Sequence, residues 1–299
     1  MKKLMLCALC LVLVAPLFAA DTTIAKGLRY AEPTLLPDGK VTFAEMMESS
    51  SLLRGRPFRA TPNVVLEGAE PGFVLPIVGR AAGANNTFFR SETVIVNRLN
   101  RPQNIAIFYF PTTGGAANCT RASQTMSLPA QSWALWSDFV ADYLGTSGLG
   151  AVIAIGVTSS GQVDSSARID GNSRIWTPVP GTSGTSSQNF PSVSLGMPAG
   201  GQSSFGLRHD EFYRTNWGVF NYGLTRRTFN GLVNGLRGRS TFSESIDACS
   251  LVLKVVPAGT YGGFELYIEA QDGGALYFTF GSSVDNVTGD SWSVIGRSN

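Results

Sequence analysis

One stretch of the sequence occurs twice, and this internal repeat limits the folds that the chain can adopt. Residues 88–97 align without a gap with residues 212–221, an offset of 124 positions, and each copy holds an aromatic-Arg-Ser/Thr segment and ends in Asn. At the same offset Gly150-Ala151 aligns with Gly274-Ala275, and each pair opens an apolar run. Self-similarity at a fixed offset is typical of duplicated structural units. We therefore predict two related domains.

The predicted domains span residues 73–188 and 189–299, each of about 110 residues, which is near the usual size of a β-sandwich. Runs rich in Val, Ile, Phe and Tyr alternate with clusters of Gly, Ser, Asn and Pro in both copies, as strands and turns require. Charged residues make up only 15% of the chain and it holds 34 glycines, which also favours short strands and tight turns. The predicted fold class is all-β, with two tandem β-sandwich domains.

One short helix is expected in the first domain. Apolar residues recur at helical spacing from Trp136 to Leu144, Ser137 can cap the start, and Gly145 can end the helix after about two turns. The second copy is shorter here, and its segment 264–268 alternates between apolar and polar residues. We therefore predict no helix at that place in the second copy.

The N-terminal residues 1–20 have the pattern of a signal peptide. Lys2 and Lys3 precede an apolar stretch, and Ala20 is the preferred cleavage position. Cys7 and Cys10 fall inside the apolar stretch without a small residue before either, so we interpret them as bulk hydrophobic residues. The apolar stretch is too short to span a bilayer comfortably, and no later segment is long enough. The chain is expected to be secreted or to lie at the cell surface, without a transmembrane segment.

Two segments fall outside the repeat pattern. Residues 21–72 are rich in Pro and are expected to form an extended or lightly structured arm, with one small hairpin at Pro37-Asp38-Gly39. Residues 179–188 have the composition of a flexible linker. They are equally compatible with a long loop inside the first sandwich.

The charge balance excludes some classes of partner. The whole chain has 23 basic and 21 acidic residues, and because Lys2 and Lys3 belong to the predicted signal peptide, the mature chain is formally neutral. A protein that binds nucleic acid or anionic lipid is expected to carry a basic surplus, and none is present. A protein or a glycan at the cell surface is the kind of partner that remains.

Only Cys119 and Cys249 remain after removal of the signal peptide, and an oxidising compartment allows them to pair. A bridge would close a long loop and contribute about 4 to 5 kcal/mol if the two Cα atoms lie within about 7 Å. The alternative is two separate, half-buried thiols, which the unequal positions of the two residues in the repeats favour.

The repeated features resemble a family of repeats found in secreted bacterial proteins of unassigned function. The resemblance lies in the aromatic-Arg-Ser/Thr strands that end at Asn97 and Asn221, in the Pro-Ala step before the short helix, in the Gly-Ala strand, and in the segment 190–193. It covers most of residues 73–299. The resemblance implies an immunoglobulin-like sandwich and an extracytoplasmic location, and it implies no catalytic residues.

The sequence offers few groups for catalysis or for cofactor binding. His209 is the only histidine, which excludes histidine-rich metal sites, and Ser291 lies in a Gly-Asp-Ser-Trp segment that lacks the second glycine of a serine-protease loop. No phosphate loop or dinucleotide fingerprint occurs, so no cofactor is expected. Asp285 and Asp164, with neighbouring Asp and Asn residues, offer oxygen ligands for calcium, but turn formation explains them as well.

Three functions are compatible with these patterns. The leading one is a non-enzymatic structural or adhesive module protein. The second is a glycan-binding module, for which Trp176 is the best exposed candidate because it stands beside a Pro and a flexible run. The third, least favoured, is a serine hydrolase built on Ser291 and His209. Arg90 and Arg214, at matching positions, are interpreted as structural residues that pair with a carboxylate or stack on a ring.

Overall fold

The computed structural model describes residues 28–37, 41–49, 71–83, 87–179, 181–195 and 200–298. The described residues lie mostly in strands, so the prediction of an all-β chain is confirmed. The predicted signal peptide, its cleavage position, much of the predicted arm and the Asp38-Gly39 turn lie outside the described residues.

The strands from residue 28 to residue 195 belong to two sheets that face each other. Sheet A has the strand order β1-β7-β4-β9-β10, and sheet B has the order β11-β3-β8-β5-β6-β2. The two sheets are connected at one corner, where the end of β3 pairs with the start of β4. The elements are β1 (Arg29–Tyr30), β2 (Thr34–Leu35), α1 (Phe43–Ser49), β3 (Gly72–Ala82), β4 (Phe88–Asn97), β5 (Gln103–Pro111), a 3₁₀ helix (Gly115–Thr120), β6 (Gln124–Leu128), β7 (Ser132–Trp136), α2 (Phe139–Asp142), β8 (Gly148–Val157), β9 (Ile169–Pro178), β10 (Thr185–Pro191) and β11 (Val193–Ser194).

The strands from residue 202 onwards form two further sheets. Sheet C has the order β16-β13-β18-β19, and sheet D has the order β15-β14-β17-β12-β20. The elements are β12 (Gln202–His209), β13 (Tyr213–Asn221), β14 (Arg227–Gly235), β15 (Arg239–Ile246), β16 (Ser250–Val255), β17 (Gly262–Ala270), β18 (Tyr277–Asp285), β19 (Ser291–Ile295) and β20 (Arg297–Ser298).

The same pairing scheme recurs in the two halves. β4 lies between β7 and β9, as β13 lies between β16 and β18. β8 lies between β3 and β5, as β17 lies between β12 and β14. The predicted correspondence of Gly150-Ala151 with Gly274-Ala275 is therefore wrong. Gly150 lies in β8, whereas Gly274 precedes β18, and β18 is the counterpart of β9.

The strand order differs from that of an immunoglobulin domain. In the immunoglobulin order ABED and CFG, the first strand lies beside the second. Here β3 pairs with β4 at only two residue positions and runs along β8, the sixth strand counted from β3. In the same way β12 runs along β17.

The repeated motif has a hydrogen-bonding role that is the same in both halves. The buried Asn97 Nδ2 lies within hydrogen-bonding distance of the carbonyl oxygens of residues 101, 128 and 129, and Asn97 Oδ1 accepts from the Leu99 N–H. Asn221 repeats this with the carbonyls of residues 225, 246 and 247 and with the Gly223 N–H. The Ser91 and Thr215 hydroxyls each donate to a carbonyl of the strand before them. The motif therefore joins each central strand to its neighbouring turns.

Three apolar cores show that the four sheets are stacked in the order A, B, C, D. One core lies between sheets A and B, and another lies between sheets C and D. The third joins the two halves, since it combines Phe108 and Ile153 of sheet B with Phe220 and Phe280 of sheet C. β8 is consequently buried on both faces, which explains its continuous apolar run.

Helix α1 belongs to the core between the halves. Phe43, Met46 and Met47 are buried there, and the Phe43 ring lies 5.0 Å from the Phe110 ring. The helix begins with a capping box, since the Thr42 N–H donates to Glu45 Oε2 and the Glu45 N–H donates to Thr42 Oγ1. The prediction of a lightly structured arm missed this helix, although the Thr-x-x-Glu pattern before two methionines is a sequence signal for it.

The predicted helix of the first half exists but is shorter than expected. Trp136 belongs to β7, α2 spans only Phe139–Asp142, and its cap is Asp138, whose carboxylate accepts from the Ala141 N–H. Ser137 was therefore the wrong capping residue. Gly145 follows with a positive φ of 61°, as a helix end requires.

Candidate ligand-binding cleft

Trp176, the predicted glycan platform, lies on the outer face of sheet A and is half-buried. The Arg90 guanidinium covers its ring at 5.4 Å from the centroid, and its indole N–H donates to the Ser137 carbonyl at 3.2 Å. Arg90 also lies 3.5 Å from Asp138 and stacks over Phe88. One face of Trp176 and its polar atom are thus already engaged by the protein.

Trp217 and His209 have structural roles. Trp217 is buried and stacks on Phe242 with ring centroids 4.5 Å apart. His209 Nδ1 accepts a hydrogen bond from the Thr215 N–H at 3.1 Å, and burial lowers the pKa of this imidazole. Because Nδ1 is an acceptor here, the neutral imidazole is the form that the fold favours.

Ser291 and His209 are not hydrogen-bonded to each other among the described residues. The Ser291 hydroxyl donates to the Ser187 carbonyl at 3.3 Å, and the His209 ring lies 6.0 Å from the Tyr261 ring. A nucleophile needs a base within hydrogen-bonding reach, so this arrangement lacks the first contact of a triad.

The acidic residues considered for calcium act in turns. Asp285 Oδ1 accepts from the Thr288 and Val287 N–H groups, and these bonds lower the pKa of Asp285. Burial alone would raise the pKa of Asp164, but hydrogen bonds from Ser166 and Arg101 outweigh it and hold this pKa at about 2. Across the described parts of the chain, no three His, Cys, Asp or Glu side chains are grouped to hold a metal ion.

Cys119 and Cys249 form a disulfide across the two halves. Their Sγ atoms are 2.10 Å apart and their Cα atoms 5.4 Å apart. Cys119 belongs to the 3₁₀ helix after β5, and Cys249 directly precedes β16. The neighbouring Asn118 Nδ2 donates to the Cys249 carbonyl at 3.1 Å, which adds a second connection at this end of the interface.

At the other end of the interface the two halves diverge and form a cleft of about 450 Å³. This volume lies within the range of small-molecule sites, which often occur where two domains meet. The floor is apolar and combines sheet A, sheet B and sheet C residues, and the wall opposite β10 is the loop between β18 and β19. The apolar lining residues are Ile77, Phe89, Leu149, Ile175, Pro178, Val179, Phe190, Leu253, Phe280, Val284 and Val287.

Two residues of the cleft lining each hold a shielded polar atom without a hydrogen-bond partner among the described residues, namely Thr177 Oγ1 and Gln188 Nε2. Thr177 is only 4% exposed. Gln188 uses its other polar atom, because Oε1 accepts from the Ser282 hydroxyl at 2.9 Å. An unpaired buried polar group costs about 1 to 3 kcal/mol, so a partner that reaches either atom recovers part of this cost.

Arg214 lies at the rim of the cleft and differs from its counterpart Arg90. Arg90 faces Trp176 across the β4–β9 pair, whereas Arg214 faces Val284 across the β13–β18 pair. The exposed Arg214 donates to Asn286 Oδ1 at 2.6 Å and forms no ion pair with a carboxylate of the described residues. Its positive charge is therefore available to a ligand.

The edge strands β10 and β19 run alongside each other next to the cleft without a backbone ladder among the described residues. The Ser186 hydroxyl donates to the Gly289 carbonyl at 3.0 Å, and the Ser291 and Ser293 hydroxyls donate to carbonyls of β10. Serine hydroxyls thus occupy the space between the two edges.

Sequence patterns did not single out Thr177 and Gln188. Residues 179–188 were read as a linker or as a long loop of the first sandwich, but from Thr185 onwards they belong to β10, which pairs with β9 in a hairpin of the first half. The polar composition of β10 concealed its strand, because its Ser and Gln side chains face the cleft and the β19 edge instead of an apolar core.

The sequence matches no protein-family model and no curated protein. Among the described residues, no helix has the length and apolar character that a membrane crossing requires.

Proposed function

We propose that this chain is an exported, non-enzymatic β-sandwich protein with a structural or adhesive role at the cell surface or outside the cell. The observation that carries this proposal is the interface between sheets B and C, which is apolar and is closed by the Cys119–Cys249 disulfide. Disulfides persist in oxidising compartments, which agrees with the predicted export. Two halves bound in this way keep a fixed shape without the help of other cellular components.

Each half is proposed to be one sandwich repeat. Residues 188 and 189 lie within β10, which pairs with β9 along its length, and β11 pairs with β3. We therefore place the boundary between β11 and β12 instead of at residue 189. The nested order, with the first strand beside the sixth, favours a jelly-roll type of sandwich over the immunoglobulin type.

The absence of catalysis is part of the proposal and is supported by the separate engagements of Ser291 and His209. The glycan alternative has less support than the sequence suggested, since Arg90 covers one face of Trp176.

The proposal is tested by expressing the full chain with a C-terminal tag in the producing organism and fractionating the cells. We expect the protein outside the cytoplasm, with Asp21 as its first residue and with Cys119 and Cys249 resistant to alkylation until they are reduced. A reduced, cytoplasmic protein would contradict export. Hydrolysis of ester, peptide or glycoside substrates that Ser291→Ala abolishes would contradict the non-enzymatic role, and glycan binding lost in Trp176→Ala would replace it with the glycan-binding one.

A further inference from the structure

We infer that the cleft between the two halves binds an amphiphile that has a single alkyl chain and a carboxylate head. The inference goes beyond the structural role and does not depend on export. It rests on the apolar floor, on the unpartnered polar atoms of Thr177 and Gln188, and on the charge of Arg214.

The head of the ligand is placed by charge. Among the described residues Arg214 is the basic and Asp285 the acidic member of the cleft lining. Asp285 Oδ1 accepts from the Val287 and Thr288 N–H groups, whereas Arg214 forms no ion pair with a carboxylate of the described residues, and a guanidinium binds a carboxylate through two parallel hydrogen bonds. On the neighbouring strand β18, Val284 faces Arg214, and Ser282, which binds Gln188, is two residues away. Two residues of strand cover about 7 Å, so the contact between Ser282 and Gln188 lies about that far along β18 from the position opposite Arg214.

The alkyl chain is placed by burial. The lining includes Phe190 and Phe280, which are both buried and whose ring centroids lie 5.6 Å apart. The exposed apolar surface of the lining comes from residues such as Val179 and Val287. An alkyl chain that covers this surface removes apolar area of the protein and of the ligand from water, which is the main source of affinity for such ligands.

A peptide strand fits this site less well than a small amphiphile. Strand addition needs a free edge whose N–H and C=O groups can pair with the peptide. Here the carbonyls of Ser187 and Asn189 in β10 already accept from serine hydroxyls of β19. A peptide would have to displace these contacts, whereas an alkyl chain leaves them in place.

The test measures binding of dodecanoate to the full chain by displacement of a dansyl-labelled undecanoate, with uncharged dodecanol and cationic dodecyltrimethylammonium as comparison ligands. We expect dodecanoate to bind and the cation to bind least. Arg214→Gln should weaken dodecanoate binding about ten-fold, because it removes a charge-assisted hydrogen bond, and leave dodecanol binding unchanged. Raising the ionic strength should weaken dodecanoate binding to the wild type more than to Arg214→Gln.

Two further variants separate binding from folding. Thr177→Val replaces the unpartnered buried hydroxyl by a methyl group of similar size, so we expect a stability at least equal to that of the wild type and several-fold weaker dodecanoate binding. Arg239→Gln is the matched control, since Arg239 is an exposed arginine of sheet D that does not line the cleft, and it should bind as the wild type does. The inference is overturned if the folded wild type does not bind dodecanoate, if Arg214→Gln and Arg239→Gln bind it equally, or if an extended apolar peptide binds and dodecanoate does not.

Discussion

Asn97 and Asn221 explain why the repeated motif ends in asparagine. Each side chain is buried between two turns, where the two hydrogens of Nδ2 are shared among three nearby backbone carbonyl oxygens and Oδ1 accepts from one backbone N–H. An aspartate has no donor for the carbonyls, and a leucine has neither donor nor acceptor. The residue type follows from the backbone groups that must be satisfied.

Asn221→Ala should lower the free energy of unfolding by about 3 kcal/mol, because it leaves buried carbonyl groups without a donor. Asn97→Ala should have a similar effect. Urea denaturation followed by tryptophan fluorescence measures both. Asn234→Ala, in an exposed part of β14, is the control and should change the value by less than about 0.5 kcal/mol. An Asn221→Ala variant as stable as this control would show that the hydrogen bonds contribute no net stability.

Arg90 and Arg214 show the limit of reading a site from a local motif. The sequence predicted the same structural role for both, and Arg90 does pair with Asp138 and stack on rings. Arg214 has neither partner, because Val284 stands where Trp176 stands in the first half and no helix of the described second half supplies a carboxylate like Asp138. The two arginines differ in their environment because of residues on other strands, and a local sequence motif contains no information about those residues.

At the scale of elements, the joint between the first two strands differs between the halves. β3 and β4 share two pairs of backbone partners at the corner of the sandwich. The described residues of β12 and β13 form no such ladder, and side chains join them instead. The Thr215 hydroxyl donates to the Arg208 carbonyl, and His209 Nδ1 accepts from the Thr215 N–H.

The contact between His209 and Thr215 predicts that the stability of the protein depends on pH through His209. Burial lowers the pKa of His209 from its ordinary value of 6.5, so the unfolded chain binds the proton more readily than the folded one. The free energy of unfolding should therefore begin to fall as the pH drops below 6.5, and the loss should be complete once the pH is below the folded-state pKa. Denaturation midpoints between pH 7.5 and about 5 measure this change, because His is the side chain that ordinarily titrates in that range.

His209→Asn keeps an acceptor near the Thr215 N–H and removes the titration. Its stability should be nearly constant over the same pH range. If the variant shows the same fall as the wild type, the dependence arises from other groups and the protonation of His209 does not control the joint.

Local patterns predicted elements well where packing is local and poorly where it is not. The aromatic-Arg strands were found because their motif is specific, and Gly145 was found because a helix end favours positive φ. The alignment of the two Gly-Ala pairs was wrong, because an apolar run follows glycine in both β8 and β18. Only the strand pairing shows that these two strands hold different positions in their halves. Helix α1 was missed although Thr42 and Glu45 form its capping box.

At the scale of the whole molecule, the stack of sheets explains what composition alone could not. The sequence predicted two repeats, but not that sheet B of one half would cover sheet C of the other. That contact depends on outward-facing residues such as Phe108 and Phe220, and their apolar character is indistinguishable in sequence from that of core residues. The outer face of sheet D carries polar residues such as Asn230 and Glu265, which ends the stack on that side.

The disulfide should contribute strongly to the stability of the stack. It spans 130 residues, and the loop-entropy model gives about 5 kcal/mol for a loop of that length. The variant Cys119→Ala/Cys249→Ala should therefore unfold at a clearly lower urea concentration than the oxidised wild type. The reduced wild type is the control and should match the variant. Equal midpoints for oxidised and reduced protein would show that the interface between sheets B and C is sufficient without the bond.

The bridge also has a mechanical consequence. The described chain begins in β1 of sheet A and ends in β20 of sheet D, so tension applied to its two ends acts across all four sheets. The segment between the cysteines, 130 residues, would extend to about 450 Å if it were pulled straight, but a covalent shortcut keeps it out of the load path. Under tension the oxidised protein should lengthen only through its outer segments, and a reductant would release the rest, so its extensibility would report the redox state of its surroundings.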